Sequence, residues 1–327
     1  MRTIPVVAMT RDGRVVEGLN VQNLRLRGIK ATIENVTFDA SPRRIILLLD
    51  ISGSMDQKWA QTKEMAKAFL DAAPTDDLLA LYLFAEKDKQ VVPFTHDFAS
   101  IRTVIDALPE PDSKPAKNVY GAKTYPGDAL NAVLAGAGKE LGFGDSVIFF
   151  SDGEFEEPDA DTGKRSLDSL KAELGQRGIR VFLALALLDG PIPQSMWQDD
   201  MPRSLLVQNI RDAAAFMGDT GGYSFVPARF PGESGADSQI GYSRVFPQIG
   251  YSGFSPQPQV FSVRPVQERM AALNAAVHGT HRVQLQLDRP LRKRRSLQLE
   301  LVNDKGKVLS GIFLFYPRNL YPDSDAH

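Results

Sequence analysis

The sequence predicts an α/β protein: a doubly wound, mostly parallel sheet with helices on both faces, joined to a small β-sandwich built from both chain ends. Three observations predict it. Apolar runs such as Ile45 to Leu49 are continuous rather than alternating, which suits parallel strands buried on both faces. From Arg43 onward such runs alternate with amphipathic helical stretches, the pattern of crossover connections. Strand patterns also appear at both ends of the chain, and segments of that size need a partner to be stable. The expected organisation is therefore residues 1–40 as β strands, 41–279 as the α/β unit, 280–320 as the β strands that complete the sandwich, and a tail over 321–327.

The elements follow in order. Val6 to Thr10 and Arg14 to Val16 flank Asp12-Gly13, a dipeptide suited to a tight hairpin, and Leu24 to Leu26 and Ala31 to Phe38 read as further short strands. Trp59 to Leu70 carries Trp59, Met65 and Phe69 at helical spacing. Leu78 to Phe84 is the next buried strand, Gln90 to Thr95 an antiparallel edge strand, and Phe98 to Leu108 a helix. Pro109 to Pro126, rich in Pro, Lys and Gly, reads as a loop. Ala129 to Leu141 is a small-residue helix, Val147 to Phe150 a strand, Arg165 to Arg177 a helix ended by Gly178, and Ile179 to Leu188 a long strand. A helix over Ser204 to Met217 stops before Gly221-Gly222, Tyr223 to Val226 adds a strand, and Pro265 to Val277 adds a last helix. Arg282 to Leu287, Ser296 to Val302 and Lys307 to Tyr316 return to β, the last two joined by Asn303 to Gly306.

Composition bounds the function. Hydrophobic residues make up 43% and charged residues 24% of 327, which excludes disordered and fibrous classes. A net charge of -2 supplies no general attraction to nucleic acid or anionic membrane, so neither nucleic-acid binding nor membrane insertion is expected. The absence of cysteine excludes disulfides, thiolate zinc sites and cysteine nucleophiles. No apolar run is long enough to span a bilayer, and Met1 to Val7 lacks the core of a secretory signal.

The chemistry concentrates where the run Ile45 to Leu49 meets Asp50-Ile-Ser52-Gly-Ser54. Carboxyl ends of parallel strands are where α/β sheets place ligands, and one carboxylate with two hydroxyls offers the oxygen donors that hard divalent cations prefer. Gly53 permits the tight turn that aims both serines one way. Downstream, Gly121-Ala-Lys-Thr124-Tyr-Pro126 places a threonine before a helix opened by proline. Ser146-Val-Ile-Phe-Phe-Ser-Asp152-Gly153-Glu154 ends another apolar strand in Asp-Gly.

These three motifs, in this order, resemble the von Willebrand factor A domain with its metal-ion-dependent adhesion site, and the whole layout is similar to the bacterial, acidobacterial-type proteins related to it. The resemblance implies a Rossmann-like fold and a divalent cation, Mg²⁺ first with Mn²⁺ or Ca²⁺ as alternatives, held by Asp50, Ser52, Ser54, Thr124 and Asp152. Asp128 and Glu154 would stand one layer behind them, although a carboxylate at Asp128 also suits a first helical turn regardless of any metal. It further implies a non-enzymatic, metal-dependent protein-binding module whose cation takes an Asp or Glu carboxylate from a protein partner. Members of that group are mostly exported, which here would require a signal absent from this chain; a cytoplasmic location is the alternative.

Three other features compete for function. A metal-dependent hydrolase would use Asp152, Glu154 or Glu156 as base on a metal-bound water, but His96, His278, His281 and His327 show no ligand spacing. The segment 229–262 reads as an insertion with a short repeat, Gln239 to Pro247 and Gln248 to Pro256, whose Tyr242, Phe246, Tyr251 and Phe254 would suit partner contacts. The basic turn Arg289, Arg292, Lys293, Arg294 and Arg295 would suit an acidic surface, or simply a solvated connection.

Overall fold

The computed structural model describes residues 1–10, 13–121, 125–153, 166–186, 213, 215–225 and 266–322. Its centre is a six-stranded sheet. Strand β4 (Arg44–Asp50) lies between β5 (Leu78–Phe84) and β7 (Ser146–Ser151), both parallel to it. The sheet continues from β7 through β8 (Arg180–Leu185) to the short β9 (Ser224–Phe225), again in parallel. On the other side β6 (Asp88–Thr95) closes it antiparallel to β5. The edge strand expected over Gln90 to Thr95 forms and begins two residues earlier, and the buried strands are those with continuous apolar runs.

Both faces of β4 are covered. Ile45, Leu47 and Leu49 join one core with α1 (Trp59–Ala72), α2 (Phe98–Ala107) and α6 (Val266–His278). Ile46 and Leu48 join a second core with α4 (Pro126–Ala135), α5 (Leu167–Arg177) and the helical residues 215–217. The two-residue period of a strand assigns successive side chains to opposite cores. All five are fully buried, and at roughly 2 kcal/mol for each large aliphatic side chain they hold the strand that carries the site.

The ends of the chain pair with each other. β1 (Arg2–Thr10) runs antiparallel between β10 (Thr280–Leu287) and β13 (Ile312–Phe315), and β3 (Ala31–Phe38) extends the sheet beyond β10. Two small ribbons complete this region, β2 (Leu24–Arg27) with β12 (Gln298–Leu301), and β11 (Arg295–Ser296) with β14 (Asn319–Leu320). Ile4, Val6 and Ala8 face a third core with Leu24, Val283, Leu299 and Leu301, whereas Val7 and Met9 join the first core.

Four expectations are corrected. Pro109 to Pro126 is not wholly loop, because α3 (Lys114–Tyr120) forms within it, capped by Ser113 Oγ accepting from Ala116 N and admitting Pro115 in its first turn. The helix expected over Ala129 to Leu141 begins at Pro126 and breaks at Gly136 into a 3-10 turn over Ala137–Glu140. The strand expected over Ser296 to Val302 divides at the buried Leu297, so its halves pair with different partners. Lys307 to Tyr316 is β only over Ile312–Phe315, with a lone bridge from Val308 to Val302. The insertion 229–262 and most of the helix over Ser204 to Met217 lie outside the described residues.

At the amino-terminal edge of the sheet, buried charge ties the layers together. Arg43 pairs with Asp39 at 3.2 Å, Arg282 reaches the same carboxylate at 2.9 Å, and Asp77 accepts Arg43 N at 2.8 Å. Arg180, fully buried, donates to Ala276 and Val277 oxygens at 2.9 and 2.5 Å and so satisfies carbonyls at the end of α6.

Candidate metal centre

Asp50 ends β4 and is fully buried. Its neighbours in the sheet fix its place, since Leu49 stands opposite Phe150 and Asp50 opposite Phe84. The following residues turn over the sheet edge: Ile51 N donates to Phe84 O at 2.9 Å, and Gly53–Lys58 forms a 3-10 turn leading into α1. Ser52 N donates to Asp50 Oδ1 at 2.9 Å, and Ser52 Oγ lies 3.1 Å from Ser54 Oγ. The carboxylate and both hydroxyls of the first motif are thus gathered on one turn.

Asp152 follows the end of β7, next to β4. Ser151 bridges the two loops, with Oγ donating to Asp50 Oδ2 at 2.7 Å and accepting Gly153 N at 3.3 Å. Gly153, directly after Asp152, adopts φ 89°, a conformation that favours glycine. Asp152 Oδ2 accepts from Lys58 Nζ at 2.7 Å, while Asp152 Oδ1 is buried and has no hydrogen-bond partner among the described residues. Burial pushes the Asp50 carboxyl up to about 7, and the nearby Asp152 carboxylate adds to the rise against the donors from Ser52 and Ser151.

On the third loop, Tyr125 N donates to Ala85 O just beyond the end of β5, and Pro126 opens α4 with Asp128 in its first turn. Thr124 and Glu154 lie outside the described residues, as do Tyr242, Phe246, Tyr251 and Phe254. Ser151 and Lys58 were not among the residues expected at the site. Ser151 was discoverable as the side chain preceding Asp152 at a strand end beside β4; a lone lysine in a loop carries no such signal.

The donor chemistry fits a hard divalent cation. Two carboxylates and two hydroxyls stand at adjacent strand ends, and one buried carboxylate oxygen has no proton donor among the described residues. Among the described residues no group of three or more His, Cys, Asp or Glu stands where it could hold a metal ion. His96 and His278 bond to Asp77, and His281 bonds to Glu17 O; Asp77 precedes β5 at the opposite edge of the sheet.

The sheet thus sets oxygen donors at the carboxyl ends of two adjacent parallel strands. Residues 45–154, 110 of the 327 residues, match the von Willebrand factor type A domain family. No curated protein matches the chain. Among solved structures, a von Willebrand factor type A protein from Catenulispora acidiphila is similar at 12% identity, covering 95% of this chain and 76% of its own, with a TM-score of 0.44. An aerotolerance-related membrane protein from Bacteroides fragilis is similar at 18% identity, covering 63% of this chain and 98% of its own, with a TM-score of 0.38. Proximal thread matrix protein 1 from the mussel byssus, solved with a zinc-occupied metal-ion-dependent adhesion site motif, is similar at 19% identity, covering 45% and 38%, with a TM-score of 0.35.

Proposed function

We propose that the chain is a non-enzymatic, metal-dependent protein-binding module with an intact metal-ion-dependent adhesion site. Asp50, Ser52, Ser54, Thr124 and Asp152 hold a divalent cation, Mg²⁺ first with Mn²⁺ or Ca²⁺ as alternatives, and the cation takes an Asp or Glu carboxylate from a partner protein. One observation carries the reading: Asp50, Ser52, Ser54 and Asp152 come together at adjacent strand ends, with Asp152 Oδ1 buried and unsatisfied among the described residues. An unpaired buried acceptor is costly unless a cation or donor meets it.

The reading extends to the rest of the chain. Residues 41–279 are the binding domain, and the end strands are one β-sandwich, supported by their antiparallel pairing and by their separate core. The layout fits an exported protein of the acidobacterial type, with adhesion as its role. Neither nucleic acid nor a membrane interior enters this function; among the described residues no helix is long and apolar enough to cross a membrane.

Titration calorimetry of Mg²⁺ and Mn²⁺ into chelator-stripped protein tests it, alongside an Asp50→Ala, Ser52→Ala variant of unchanged circular dichroism. Saturable binding by the native chain and none by the variant is expected. Equal binding by both, or none by either, overturns the reading.

A further inference from the structure

Lys58 is the one cation bonded to a proposed ligand among the described residues. It ends the 3-10 turn that also carries Ser54, and its carbonyl accepts from Thr62 Oγ1 at 3.0 Å, which pins the turn to α1. Its ammonium lies 2.7 Å from Asp152 Oδ2, in a pair whose side chains are only 18% and 4% exposed. It engages one oxygen of Asp152 and leaves the other, buried Oδ1, without a partner among the described residues.

We propose that Lys58 is the specificity-determining residue of this site, fixing its charge so that the cation-loaded site prefers a single carboxylate over a neutral ligand. The inference rests on the reading above. Asp50 and Asp152, both ionised as metal ligation requires, contribute two negative charges. A dication alone would bring these to neutrality and leave little attraction for an anion. With the Lys58 ammonium included, the loaded site carries one net positive charge, which a partner carboxylate neutralises. The same ammonium repels the dication at close range in a partly desolvated place, so the site trades cation affinity for anion affinity.

An orienting role alone would have the opposite sign. Losing a group that only aims a metal ligand weakens metal binding by about 10- to 100-fold, whereas losing a repelling charge strengthens it. Lys58→Met keeps the stem and removes the charge; Lys58→Gln keeps a hydrogen-bond donor and serves as the second variant if the first does not fold. Mn²⁺ affinity is measured by calorimetry, and acetate is then titrated into each Mn²⁺-loaded protein and followed by water-proton relaxation.

The expected result is Mn²⁺ binding roughly tenfold tighter in the neutral variants, from one like charge removed near a dication, together with loss of acetate binding that Lys58→Arg retains. Mn²⁺ binding unchanged or weaker in the neutral variants overturns the role of Lys58 and leaves the metal site standing. So does acetate binding that survives in those variants. Absence of Mn²⁺ binding in every form, native chain included, overturns both.

Discussion

Removing the Ser151 hydroxyl tests how the two loops are held. Ser151 Oγ donates to the fully buried Asp50 at 2.7 Å and accepts Gly153 N at 3.3 Å. Ser151→Ala deletes a bond to a charged acceptor, about 1.5–3 kcal/mol, and weakens a backbone bond of about 0.5–1.5 kcal/mol. The sum is about 2–4 kcal/mol in chelator at pH 8, above the value of about 7 to which burial pushes Asp50. At roughly 2.1 cal/mol/K per residue, a 327-residue chain unfolds with an entropy of about 0.7 kcal/mol/K, so the loss lowers Tm by about 3–6 °C. Differential scanning calorimetry with and without the hydroxyl measures it. A Tm within 1 °C of the native value would refute the idea that Ser151 holds the loops together.

Two further outcomes follow from the fold. Asp39 is buried, yet donors from Ser41 and the charge of Arg43 outweigh the desolvation that would raise it, and its pKa is held at about 2. A depressed carboxylate stabilises the fold above its unfolded value of 3.8 and loses that contribution as pH falls toward 2. Acid titration of stability should therefore show a loss on the order of 2 kcal/mol in that window, absent in Asp39→Asn. At Gly222, an added Cβ would stand 1.8 Å from Val181 O, a backbone atom of β8. Gly222→Ala is expected to cost about 3 kcal/mol by forcing β8 and β9 apart, visible as a lower urea midpoint; an unchanged midpoint would show that the segment yields freely.

The sequence was most legible where one physical signal acted alone. Ile45 to Leu49, Leu78 to Phe84 and Val147 to Phe150 announce buried strands because both faces must be apolar, and their observed bounds differ by a residue or two at most. Asp50, Ser52, Ser54 and Asp152 were legible for a related reason: polar groups that interrupt such runs at the sheet edge have little use in a core. Signals that opposed one another were harder to read. Pro115 and the surrounding lysines suggested loop, while the Ser113 cap and the burial of Ala116 and Tyr120 favour the helix that forms. Leu297 divides a run that looks continuous because its burial depends on tertiary packing. Lys58 and Ser151 act through individual side-chain hydrogen bonds at the sheet edge, which leave no periodicity to detect.

Strand β1 has no solvent side along most of its length: Ile4, Val6 and Ala8 serve one core, Val7 and Met9 another. A strand of this kind works as a party wall. Neither room can be demolished while the other stays weatherproof, because removing β1 would take Val7 and Met9 from one core and Ile4, Val6 and Ala8 from the other. The α/β unit is therefore not separable at residue 41 without loss, and the strands at the chain ends are structural members of it.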